Sequence, residues 1–222
     1  MSLLQAQPTS PDASPTPDRR WMLLEGVSWD TYQRIRHETD RAGQLLQITF
    51  DCGRMVIMSP LPVHEKWKKL LARLVETLAE HRGMDIEPFG STTWRNSESL
   101  KGLEADECYY IQRAGDVIGK SELDLDIDPP PDLAIEVDVT HQPIDRISIY
   151  ATLGVPEVWR YDGKAVSAIA PKPGGMHVKL NESLAFPGFH PATLNRFMDM
   201  LHTQSNQAVV NSFREWLKNQ GS

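Results

Sequence analysis

The residues with the most chemistry in this chain lie in Asp132-Leu133-Ala134-Ile135-Glu136-Val137-Asp138-Val139. Strand periodicity puts Asp132, Ala134, Glu136 and Asp138 on one face and Leu133, Ile135, Val137 and Val139 on the other. Three carboxylates in one row repel one another and are costly to desolvate, so such a row must stay solvated, pair with bases or hold a cation. Metal-assisted chemistry is the first expectation. A strand rises about 3.3 Å per residue, which separates Asp132 from Glu136 by about 13 Å, too far to share an ion, whereas a neighbouring strand is only about 4.8 Å away. A partner acid must come from another strand. Asp106, within Glu104-Ala105-Asp106-Glu107-Cys108-Tyr109-Tyr110, is the best placed, and Glu104 shares its face. Asp106 with Glu136 makes a hard-oxygen pair suited to Mg²⁺ or Mn²⁺, since no Cys or His cluster accompanies it to favour Zn²⁺.

The elements that must carry these residues follow from local pattern. Ser28-Trp29-Asp30 with Tyr32 and Ile35 looks like a capped short helix, and residues 46–50 and 54–58 look like a hairpin around Asp51-Cys52-Gly53. Trp67, Leu70, Leu71, Leu74, Val75 and Leu78 recur at helical spacing over 64–81, a helix ended by Gly83 with His64 inward at its first turn. Strands are expected over 91–95, 105–111 and 132–139, and a helix over about 141–153, stopped by Gly154 and Pro156. Residues 157–161, the turn at Asp162-Gly163 and residues 166–170 and 177–180 form a hairpin annex, and a last helix covers about 192–218. This order predicts an α/β fold, one mixed sheet flanked by helices, with no domain boundary after residue 20.

Composition bounds the partners. The chain has 222 residues, 40% hydrophobic, and no run of about 18 apolar residues to span a membrane. Residues 1–19, rich in Pro, Ser, Thr and Asp, read as a disordered leader without the features of a secretory signal, and Cys52 and Cys108 are too few for a disulfide framework. A cytoplasmic location is expected. A net charge of -7 provides no global attraction for nucleic acid, so phosphate chemistry would need a bound cation or a local basic patch. Lys66, Lys68, Lys69 and Arg73 are the densest such patch: they read as a solvated helix face, or as the basic group that braces a backbone phosphate.

Met58-Ser59-Pro60 before His64-Glu65, then Glu104-Ala105-Asp106, then Pro130-Pro131-Asp132-Leu133-Ala134-Ile135-Glu136-Val137, and Tyr150-Ala151 with Gly154-Val155-Pro156-Glu157-Val158-Trp159, resemble the Uma-two family of restriction endonucleases over about residues 25–200. That resemblance implies the PD-(D/E)xK superfamily: a restriction-endonuclease-like core, Mg²⁺ (or Mn²⁺) dependence and a phosphodiester substrate, probed first as DNA. By this resemblance Asp106 and Glu136 take the places of the two metal-binding acids, and His64 and Glu65 match the start of the family's first core helix. Asp138 stands where the superfamily usually has Lys, and is carried as a third ligand. The basic residue sits instead at Arg146, four before Tyr150. Arginine stays protonated and cannot be a general base, so it can only stabilise phosphate charge.

Each residue also has a structural reading. Asp132 is expected to start its strand and cap local backbone, His64 to be a satisfied helix-start histidine, Glu65 a first-turn charge, and Trp159 and Tyr150 core aromatics. Arg146 is expected to pair with Asp145 or Glu157. The competing class is a degenerate nuclease fold that binds or scaffolds without catalysis, separated from an enzyme by whether a Lys or Arg stands near the acids. A homodimer is left open.

Overall fold

Among residues 21–125, 127–139 and 142–220, which the computed structural model describes, the chain builds two sheets and six α-helices; the leader expected over 1–19 lies outside them. Trp21–Leu24 (β1) precedes Trp29–Arg41 (α1), which begins where Ser28 stays extended and its hydroxyl oxygen accepts the Thr31 N–H. Gln47–Asp51 (β2) and Arg54–Met58 (β3) make the expected hairpin. Cys52 and Gly53 close it at φ 47° and 90°, the left-handed pair that a two-residue turn between twisted strands requires. Pro62–Arg82 (α2) is the long helix; Pro62 occupies a first-turn position whose N–H would be unpaired anyway, and Gly83 at φ 61° ends it.

The chain then alternates short strands: Glu87–Pro88 (β4), Thr93–Asn96 (β5), Lys101–Glu104 (β6) and Glu107–Tyr110 (β7), followed by the single turn Ala114–Val117 (α3). Leu133–Val137 (β8) leads through Arg146–Thr152 (α4) to Val158–Tyr161 (β9), and Val166–Pro171 (β10) with His177–Leu180 (β11) completes the annex hairpin. One sheet, ordered β11-β10-β9-β8-β7-β4, is mixed: β8 and β9 are parallel and the other pairs antiparallel. This is the mixed sheet expected from the element order. The second sheet, β1-β3-β2-β6-β5, is antiparallel throughout and was not foreseen.

Strand β8 sits at the centre of the core. Leu133, Ile135 and Val137 pack with Leu71, Leu74, Val75 and Leu78 of α2 and with Trp159, while Ala134 on the other face joins Ile149, Tyr150 and Val158. Both faces are covered, so the acidic row does not run along a solvated surface: Glu136 is only 5% exposed. Asp132 caps local backbone as expected, its carboxylate accepting the N–H groups of Ile111 and Arg113. Trp159 is a core aromatic whose indole N–H donates to Glu157, a wholly buried acid that also accepts from Ser183 and Ala185 and so ties β9 to the 183–186 turn.

Three expectations need correction. The strand expected over 105–111 is β7, which begins only at Glu107; Ala105-Asp106 is a step that separates it from β6, an unexpected strand that belongs to the other sheet. The helix expected over 141–153 begins only at Arg146, where Asp145 caps it by accepting the Ile147 and Ser148 N–H groups. The last helix divides into Asn195–Met200 (α5) and Asn206–Lys218 (α6), because Ser205 turns extended and its hydroxyl accepts the Ala208 N–H to start a new helix.

Candidate functional site

Asp106 and Glu136 do come together. The antiparallel pairing of Glu107 with Ile135 brings Asp106 beside Glu136, and the Asp106 Oδ2 accepts the Val137 N–H at 2.7 Å. Asp106, 1% exposed, is fixed on its other oxygen by Gln47 Nε2, which donates to Oδ1 at 2.5 Å. His64 from the first turn of α2 stands with Nε2 3.1 Å from Asp106 Oδ2, within ion-pair range though off the line of a well-directed hydrogen bond. Burial alone would raise the Asp106 carboxyl; the contact and charge of His64, the charge of Arg146 and the Val137 N–H overcome it and hold the group below the ordinary range. Burial likewise works against a charged His64, but Asp106 and then Glu65 prevail, so the imidazole is raised.

Glu136 is clamped from α4. Arg146 donates Nε to Oε2 at 3.0 Å and Nη2 to Oε1 at 2.6 Å, a two-pronged ion pair, and Tyr150, one turn further along the same helix face, donates its hydroxyl to Oε1. The guanidinium also donates Nη1 to Thr49 Oγ1 and Nη2 to the Glu104 carbonyl, both at 2.7 Å, which links α4 to β2 and β6. Burial pushes the Glu136 carboxyl up to about 7, with Arg146 opposing it. Burial disfavours the charge on Arg146 too, yet Glu136 wins and keeps it protonated. The pairings expected for Arg146, with Asp145 or Glu157, are not made; Asp145 is the helix cap and Glu157 the buried clamp.

The remaining predicted residues lie nearby with other partners. Asp138 meets Arg160 Nη2 at 2.6 Å across the parallel β8–β9 pair. Glu65, with its side chain 42% exposed, contacts His64 Nδ1 at 3.4 Å and Lys68 Nζ at 3.6 Å. Glu104, expected to share the face of Asp106, turns instead to Arg36 of α1 at 2.6 Å because β6 joins the other sheet. A cavity of about 230 Å³ adjoins the clamp, lined by Glu136, Asp138, Arg146 and Arg160. It has room for a phosphate-sized group.

Residue type and count decide whether a divalent ion fits. Among the described residues no three His, Cys, Asp or Glu side chains gather as a metal-binding group. The two buried carboxylates do fit a hard cation in kind. A carboxylate offers about four lone-pair positions; on Asp106 two accept hydrogen bonds, from Gln47 and Val137, and a third faces the His64 ring, while on Glu136 three are taken, by Arg146 twice and Tyr150. Among the described residues one acceptor position therefore stays uncommitted on each, on Asp106 Oδ1 and Glu136 Oε2. Mg²⁺ is commonly held by one or two carboxylates with water and phosphate completing its shell.

Pattern reading missed Gln47, Thr49, the burial of Lys68 and the hydroxyl role of Tyr150. The signals were present: Gln47 and Thr49 share one face of β2 by the period of two, Tyr150 is i+4 from Arg146, and Lys68 is i+4 from His64.

A family model described as "Putative restriction endonuclease" (Uma2) matches residues 29–184. No curated protein matches the chain. Among solved structures, the fold is similar to a chain described as "a putative nuclease belonging to DUF820 from Anabaena variabilis ATCC 29413", with a TM-score of 0.43 and 14% identity, covering 77% of this chain and 90% of that one.

Proposed function

The chain belongs to the Uma2 family, described as putative restriction endonucleases, and from that premise we propose that it hydrolyses phosphodiester bonds of DNA with a divalent ion, Mg²⁺ or Mn²⁺, held by Asp106 and Glu136. The observation that carries the proposal is the juxtaposition of these two buried carboxylates, one just before β7 and one on β8, with a basic side chain from the following helix against the second. When bound, such an ion supplies charge neutralisation at the scissile phosphate and a water acidified toward neutral pH. Gln47 and the Val137 N–H orient the Asp106 carboxylate so that Oδ1 keeps an acceptor position. Arg146, being always protonated, moves no proton; it fixes Glu136 and brings positive charge to the wall of the phosphate-sized cavity. Asp138 serves this site from the cavity wall, paired with Arg160. Action in the cytoplasm accords with the absence, among the described residues, of any helix able to cross a membrane.

One observation favours the second reading, a nuclease fold kept for binding or scaffolding: the guanidinium of Arg146 already neutralises Glu136, as a cation would. Titration calorimetry with Mn²⁺ separates the two. Wild type is expected to bind and Asp106→Asn, which keeps the side-chain shape, to lose at least about tenfold in affinity, with Mn²⁺ also raising the melting temperature of wild type alone. Equal weak binding by both proteins supports the scaffold.

A further inference from the structure

We propose that Lys68, on the α2 side of Asp106, contacts a backbone phosphate of the nucleic acid, beside the charge that Arg146 brings to the cavity wall. This deepens the nuclease reading above and rests on it. The three lysines of α2 are not alike. Lys66 and Lys69 are exposed, whereas Lys68 is 7% exposed and lies in the inward stripe of α2, one turn after His64 and three residues before the fully buried Leu71. A lysine ammonium in such a stripe is costly to desolvate, and carboxylate contact compensates it poorly: Glu65, its ion-pair partner, stands 3.6 Å away. The close partner is neutral. Nζ donates to Ser91 Oγ at 2.7 Å, and the Ser91 hydroxyl donates in turn to the main-chain carbonyl of Asp106 at 3.3 Å.

The ammonium is therefore held over the acidic segment 104–107. Burial raises the carboxyls of Glu104 and Glu107, and the charge of Lys68 opposes it at both, alongside Arg36 at Glu104 and Lys69 at Glu107. An ammonium has three N–H donors. One goes to Ser91 and one toward Glu65, and the third has no partner among the described residues. Arg146, by contrast, has four of its five donors committed, two of them to Glu136. Because Glu65 is 42% exposed, Nζ sits just beneath the surface, where a phosphate oxygen can replace that long contact. A lysine that is buried, incompletely matched and held over the segment that carries Asp106 suits a phosphodiester oxygen, for which Lys is a point-charge partner.

The test is binding of a duplex oligonucleotide with Ca²⁺ replacing Mg²⁺, measured as a function of salt for wild type, Lys68→Met, Lys68→Arg and Lys69→Met. Losing one phosphate contact makes the log–log salt slope shallower by about 0.9 and weakens binding by about tenfold, uniformly across sequences. Lys68→Met is expected to do this, Lys68→Arg to keep the wild-type slope, and Lys69→Met to change it less. Thermal melts check folding, and Lys68→Gln, which can still donate to Ser91, replaces the Met variant if that does not fold. Wild type that binds while folded Lys68→Met or Lys68→Gln shows the same affinity and slope overturns the assignment of Lys68 and leaves the nuclease reading standing. Wild type that binds no duplex at any salt overturns both.

Discussion

Arg146→Met is expected to destabilise the fold by about 3–5 kcal/mol, the range for removing one partner of a buried ion pair. Met keeps much of the volume, so the loss reports the charge rather than a cavity. Its origin is Glu136, which at 5% exposure retains only the Tyr150 hydroxyl once the two guanidinium bonds are gone. The variant also frees Thr49 and the Glu104 carbonyl of their donor, loosening α4 from β2 and β6. The deficit depends on pH. Burial already pushes Glu136 up to about 7 with Arg146 opposing it, so in the variant the folded-state value rises further above the unfolded value of about 4.3. A carboxyl raised in this way contributes stability that is complete below about pH 4.3 and is lost as pH rises through the folded value. Denaturant melts should therefore show a larger gap between wild type and variant at pH 8 than at pH 5. A gap below about 1 kcal/mol at pH 8 contradicts the clamp.

Ile135→Ala is expected to cost about 2–5 kcal/mol. Ile135 is 0% exposed in the middle of β8 and packs in the cluster that contains Leu71, Leu74 and Val75 of α2. Its loss leaves a cavity between a central strand and the longest helix, which cannot collapse without shifting the pairing that holds Asp106 beside Glu136. Equilibrium denaturation measures the effect. A cost under about 1 kcal/mol means that this row does not seal the core.

What could be read from the chain and what could not divide along a physical line. Local periodicity placed α2 and its Gly83 stop, the hairpin around Cys52-Gly53 and the apolar row of β8, because each depends on spacing within one element. The pairing of Asp106 with Glu136 also followed, from the reach of adjacent strands. Strand β6 and its break from β7 at Ala105-Asp106 were invisible: no Gly or Pro marks that point, and which segment joins which sheet is settled by partners distant in sequence. The partner of Arg146 was missed for the same reason, since the neighbouring Asp145 is the obvious choice until the helix needs it as a cap. Lys68 was misread because charge type suggested a solvated face, although its spacing from His64 and Leu71 places it inside.

The charge compensation of Glu136 by Arg146 explains why this site can be read in two ways. A charged Arg146 satisfies a buried carboxylate without an ion, and the same contact brings positive charge to the edge of a phosphate-sized cavity. Stability measurements on Arg146 establish the clamp and are indifferent to what it is for. Cleavage is not. Supercoiled plasmid incubated with wild type and with Asp106→Asn in Mg²⁺ or Mn²⁺, each with an EDTA control, tests the central claim most directly. The account predicts nicked or linear DNA from wild type only when the metal is present, and a loss of about 10²-fold or more in Asp106→Asn; plasmid left intact by folded wild type across both metals and a range of pH, or cut equally by the variant, contradicts it.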